Sequence, residues 1–120
     1  MELVVEGRAF VKGRLSNWSI GIEDGRIVAL GKNLKGDRKI DCRHMLILPA
    51  AIDPHVHFRD PGLTAKEDFS TGTLAAAFGG VGCVLDMPNT LPPAVKLIDL
   101  KEKKEAISGK AWIDHGLFAG

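Results

Sequence analysis

Near Leu48 the chain changes rhythm, and that change limits the folds open to it. Upstream, short apolar runs alternate with tight-turn signals. Ile20 and Ile22, then Ile27, Val28 and Leu30, flank Asp24-Gly25, a dipeptide that accepts the positive φ of a two-residue hairpin turn. Gly7, Gly13, Gly31 and Gly36 punctuate the rest, so residues 1–48 read as a small, mostly antiparallel β unit. Downstream the order becomes strand, helix, strand, helix, strand. The apolar run Leu46-Ile47-Leu48, Ala50-Ala51-Ile52 leads into Asp53-Pro54-His55. Thr64 to Phe78 reads as a helix, with Thr64 and Glu67 as a capping box and Gly79-Gly80 as its exit. Val81 to Met87 is a nearly continuous apolar strand. Pro92-Pro93 opens a second helix that reaches about Ser108 before Gly109, and Ala111 to Phe118 is a third strand. Alternating βα units require a parallel sheet covered by helices. The expected class is therefore α/β, with residues 49–120 forming βα units.

The formal net charge of the 120 residues is +1, which offers no electrostatic footprint for nucleic acid or a membrane surface. The lysines from Lys96 to Lys110 alternate with acids, as on a solvated helix face. No apolar run approaches the roughly 20 residues of a membrane span. The N-terminal Met1-Glu2-Leu3-Val4-Val5-Glu6 lacks the pattern of a secretory signal. Cys42 and Cys83 match no CxxC spacing and read as reduced, buried thiols. Together these features give the expectation of a cytoplasmic protein. Gly79-Gly80-Val81-Gly82 precedes a strand rather than opening a helix, so it lacks the geometry of a phosphate cradle.

Candidate chemistry concentrates in Asp53-Pro54-His55-Val56-His57-Phe58-Arg59-Asp60-Pro61-Gly62. Residues i and i+2 of a strand share a face, so His55 and His57 project together and can share a metal ion. They fall at a strand's carboxyl end, where α/β sheets and barrels carry their active sites. Two ligands are fewer than the three of a catalytic zinc. Asp53 either orients a histidine or caps the loop. Arg59 offers a forked donor for a carboxylate, or else pairs with Asp60 or Asp68. Asn89, in Asp86-Met87-Pro88-Asn89-Thr90 at the end of the second strand, can present donor and acceptor to a substrate or serve as a turn residue. Asp86 fits a structural role inside its strand, Asp114 and His115 could face the same cavity, and His44 receives no role.

These segments, with Lys66-Glu67-Asp68-Phe69, Thr71-Gly72-Thr73, Ala75-Ala76-Ala77, Gly79-Gly80 and Met87-Pro88-Asn89-Thr90, resemble the amidohydrolase superfamily and, within it, dihydroorotases. The likeness runs from about Leu48 to Pro93. Two positions depart from it: Ala50 stands where members often carry glycine, and Gly82-Cys83 where they often carry Thr-Thr.

The resemblance implies a small N-terminal β unit followed by the first units of an incomplete TIM-type (β/α)8 barrel. It implies one or two zinc ions held by His55 and His57, and a substrate carboxylate read by Arg59 and Asn89. The implied reaction is the reversible hydrolysis of (S)-dihydroorotate to N-carbamoyl-L-aspartate in pyrimidine synthesis. The general base and remaining ligands are expected beyond residue 120, so the chain is expected to be a fragment that is inactive alone. A homo-oligomer and an aspartate transcarbamoylase partner are open under the resemblance. So are two rival readings, an allantoinase and a non-catalytic scaffold.

Overall fold

The computed structural model describes residues 1–120, which divide into two compact units, Met1–Pro49 and Ala50–Gly120. The first holds four strands, β1 (Leu3–Val11), β2 (Arg14–Glu23), β3 (Arg26–Gly31) and β4 (Arg38–Ile47). They form one sheet in the order β3-β2-β1-β4. Asp24 at φ 48° and Gly25 at φ 68° make the turn between β2 and β3, the left-handed pair that matches strand twist in a two-residue hairpin. Lys12 and Gly13 repeat the device between β1 and β2. β4 returns parallel to β1, so the sheet is antiparallel in two of its three pairings.

The second unit contains β5 (Ala51–Val56), α1 (Phe69–Phe78), β6 (Val81–Asp86), α2 (Leu97–Ala106) and β7 (Asp114–Leu117). The strands form a parallel sheet in the order β5-β6-β7. Alternation sends Val56 and Phe58 to one face of β5's end. There Phe58 meets Phe69 of α1 edge-on, with ring centroids 5.2 Å apart. Val84 of β6 and Ile107 after α2 complete this core, each at most 1% exposed. None of the helices is long and apolar enough to cross a membrane.

Both helices start later than their sequence signals suggest. α1 begins at Phe69, not near Thr64, because Asp68 is its N-cap and accepts the Thr71 N–H at 2.8 Å. Glu67, the supposed capping-box partner of Thr64, instead accepts the Asp68 N–H at 2.9 Å and the Thr71 hydroxyl. α2 begins at Leu97, not at Pro92. Residues 92–96 are held as a loop, with the Ala94 N–H donating to the Pro88 carbonyl at 2.9 Å. Asp99 then caps the helix by accepting the Lys96 N–H at 2.7 Å. Cys42 and Cys83 are free but only half-buried.

The two departures from the family pattern face each other. A Cβ added to Gly82 would lie 2.8 Å from the Ala50 methyl, closer than packed carbons allow. The Ala50 methyl therefore occupies the space a side chain at position 82 would need. Gly82→Thr should therefore cost about 1–3 kcal/mol through overpacking. Combining it with Ala50→Gly should recover much of that loss, a coupling measurable by denaturant unfolding of both single variants and the double.

The Asp68 carboxyl is held below its ordinary pKa, chiefly by the Thr71 N–H and next by the Thr71 hydroxyl, against partial desolvation. A depressed folded-state value means the cap's charged stabilisation is present above the ordinary carboxylate range and is lost as pH falls through the lowered value. The stability difference between the unaltered protein and Asp68→Asn should thus be largest near neutrality and shrink below about pH 4, as read by urea melts across pH.

Candidate metal centre

Parallel pairing places the carboxyl ends of β5, β6 and β7 along one edge of the sheet, and the candidate residues gather at the first two. His55 lies in β5 and His57 one residue past it. Their side chains share a face, as the i, i+2 spacing requires, with the two Nε2 atoms 3.2 Å apart. Both imidazoles are exposed on the side opposite the Phe58 core. Two nitrogens on one tetrahedral zinc, each at about 2.0–2.1 Å, stand about 3.3 Å from one another. The pair therefore fits a shared cation. It is a partial donor set, since no group of three or more His, Cys, Asp or Glu side chains assembles around it.

His57 Nδ1 lies 2.9 Å from Asn89 Oδ1, in the loop after β6. With the amide oxygen facing the ring, this contact is satisfied by the Nδ1–H tautomer of His57, the form that leaves a lone pair on Nε2. Asn89 thus has one atom committed to the histidine and keeps its amide nitrogen for another partner. Asp53 accepts the His55 backbone N–H at 3.1 Å, so of its two candidate roles it performs the cap.

Arg59 sits two residues past His57 with φ 63°, a left-handed conformation uncommon outside glycine and costly unless its surroundings fix it. They do so through Asp60, which is 1% exposed. Its Oδ2 accepts the Phe69 N–H at 3.3 Å and Lys110 Nζ at 2.9 Å. Asp60 is therefore spent on Lys110, and Arg59 forms no ion pair with Asp60 or Asp68. Gly62, at φ 88°, lets the loop close against the next one: a Cβ there would fall 2.1 Å from the Leu91 carbonyl oxygen, and the Leu91 N–H donates to the Pro61 carbonyl at 3.1 Å. His115 does not join the site. Its ring packs edge-on against Phe69 at 5.4 Å, on the helix side of the sheet. There it lines a groove of about 360 Å³ with Leu97, Leu100 and Leu117.

A buried ion pair supports the site and escaped the reading of the sequence. Lys103 of α2 is 2% exposed and Asp86 of β6 is fully buried, with Lys103 Nζ 2.6 Å from Asp86 Oδ2. The expectation of a solvated face from Lys96 to Lys110 fails at Lys103, because the helix lays that one position against the carboxyl end of β6. Its signal was the acid inside an apolar strand, which needs a buried cation.

The strand–helix order is shared with solved hydantoinases of the amidohydrolase superfamily. An L-hydantoinase (dihydropyrimidinase) from Arthrobacter aurescens matches with a TM-score of 0.90 and 27% identity, over 99% of this chain and 28% of its own. Residues 44–114, more than half the chain, match the family described as Dihydro-orotase-like, and the chain belongs to that family. A dihydroorotase of Methanothermobacter thermautotrophicus is 48% identical over 103 residues, covering 85% of this chain and 24% of the relative. An allantoinase of Rubrobacter xylanophilus is 39% identical over 122 residues, covering 99% of this chain and 27% of the relative. The chain thus spans about a quarter of the length of these relatives.

Removing one partner of a buried pair strands the other charge, so Lys103→Met should destabilise the protein by about 3–5 kcal/mol. Urea unfolding with Asp86→Asn added should show much of that loss recovered, because no charge is then left buried and the Asn oxygen still accepts the Phe58 N–H.

Proposed function

We propose that this chain contributes two metal ligands and a carboxylate-reading arginine to a dihydroorotase, which interconverts (S)-dihydroorotate and N-carbamoyl-L-aspartate. The observation that carries the reading is the convergence of His55 and His57 Nε2 at 3.2 Å, with an unpaired guanidinium two residues on. The 48% identity to a dihydroorotase supports it. In this reading the parallel sheet β5-β6-β7 is the opening arc of a (β/α)8 barrel, and further ligands and the general base come from residues outside these 120.

A zinc ion bound here would supply Lewis acidity and lower the pKa of a bound water toward neutrality. His55 and His57 would hold the ion through Nε2, with the Asn89 oxygen favouring the His57 tautomer that leaves a lone pair there. Asn89 Nδ2 remains to donate to a substrate oxygen. Arg59 binds the substrate carboxylate through paired N–H donors and so orients the ring amide toward the metal edge of the sheet. Its left-handed backbone and the buried Asp60 beneath it hold the guanidinium's origin in place before substrate arrives, which reduces the ordering cost of binding.

The test uses the full-length protein, with zinc content and dihydroorotate hydrolysis measured side by side. His55→Ala should lose bound zinc and turnover together. Arg59→Ala should keep its zinc and lose about ten- to a hundred-fold in kcat/KM, the equivalent of hydrogen bonds to a charged group. Full-length protein with neither zinc nor turnover would indicate a non-catalytic scaffold. The 39% identity to an allantoinase favours a second reading. Allantoin carries no carboxylate, so preference for allantoin with Arg59→Ala unaffected would establish that reading instead.

A further inference from the structure

We propose that Asp86 and Lys103 are positioning residues for the His57 imidazole, an inference that rests on the metal-centre reading above. Neither side chain touches a histidine. Each instead fixes backbone on one side of the His57–Asn89 contact. Asp86 Oδ1 accepts the Phe58 N–H at 2.8 Å, which pins the residue immediately after His57. The carbonyl immediately before it, Val56 O, accepts the Met87 N–H at 2.9 Å. His57 is therefore bracketed by two hydrogen bonds to the single step Asp86-Met87. Lys103 Nζ locks that step from below, donating to Asp86 Oδ2 at 2.6 Å and to the Met87 carbonyl at 2.9 Å.

Asn89 follows two residues later, and the Thr90 N–H donates to the Pro88 carbonyl at 2.9 Å to tighten the turn that carries it. The 2.9 Å separation of His57 Nδ1 from Asn89 Oδ1 joins two loops whose relative position is set at this ion pair. The β5–β6 ladder is irregular between Asp53 and Val56, so regular strand pairing does not fix the register there. A buried ion pair is also a weak source of net stability compared with apolar residues of similar size. What this one supplies is a fixed spacing between the histidine and its orienting amide.

The experiment compares two charge-free double variants of the full-length protein. Asp86→Asn with Lys103→Met keeps an acceptor for the Phe58 N–H, and Asp86→Leu with Lys103→Met removes it. The first readout is the His57 tautomer by nitrogen-15 NMR of the metal-free protein. The second is zinc affinity by competition with a chromophoric chelator.

The Leu/Met variant should fold, lose the Nδ1–H tautomer at His57, and bind zinc about 10–100-fold more weakly, the usual consequence of losing a metal ligand's supporting partner. The Asn/Met variant should retain the tautomer and most of the affinity. A folded Leu/Met variant that keeps the Nδ1–H form overturns the proposal, as does an Asn/Met variant no better than Leu/Met. Unaltered protein that binds no zinc would count against the metal reading alone, because the tautomer is read without metal.

Discussion

The Asp86 carboxylate, closed off from solvent, has one oxygen on the Phe58 N–H and the other on the Lys103 ammonium. Much of the second unit's geometry depends on those two bonds. They tie the end of β5, the end of β6 and the middle of α2 to a single side chain. The hydrophobic contacts among Phe58, Phe69, Val84 and Ile107 are non-directional and would tolerate small slides of one strand past its neighbour. The ion pair is directional and does not. Apolar burial thus holds the layers together while the buried polar contacts set their register, a division seen again where Asp60 joins the loop after β5 to the start of α1 and to Lys110.

The chemistry at the sheet edge follows from that division. Strand alternation puts two imidazoles on the side away from the core. Their nitrogens converge because the residues between and beyond them, Val56 and Phe58, are anchored on the opposite side. An amide oxygen 2.9 Å from His57 Nδ1 favours the tautomer that leaves a lone pair on Nε2. Two residues past His57 the chain carries an arginine with no carboxylate partner, on a left-handed backbone. The two imidazoles are exposed at that edge, while the Asp86 and Asp60 carboxylates that brace their strand and loop are buried.

Much of this architecture could be read from residue order. The Asp24-Gly25 hairpin and the strand–helix alternation after Leu48 appear where the apolar pattern puts them, since both signals are local. The shared face of His55 and His57 follows from strand periodicity alone. Helix starts were less legible, because they were decided by distant partners. The Thr64-x-x-Glu67 signal is passed over and the helix starts after Asp68, where the buried Asp60 accepts the Phe69 N–H from nine positions upstream. Lys103 looked like its neighbours Lys101 and Lys104. Its burial shows only in its spacing, three residues after Leu100 and four before Ile107, which puts it on the inward face of α2. The bond between Asn89 and His57 likewise spans 32 positions, and the turn-forming character of Asn89 gave no hint of it.

The abutting methyl of Ala50 and bare backbone of Gly82 bear on how this chain and its kin can exchange segments. A crossover between the two positions would join a first strand from one lineage to a second strand from another. A hybrid that keeps Ala50 and receives a second strand with a side chain at position 82 carries two groups in a space built for one. Grafts that carry both positions together should be tolerated where finer splicing is not.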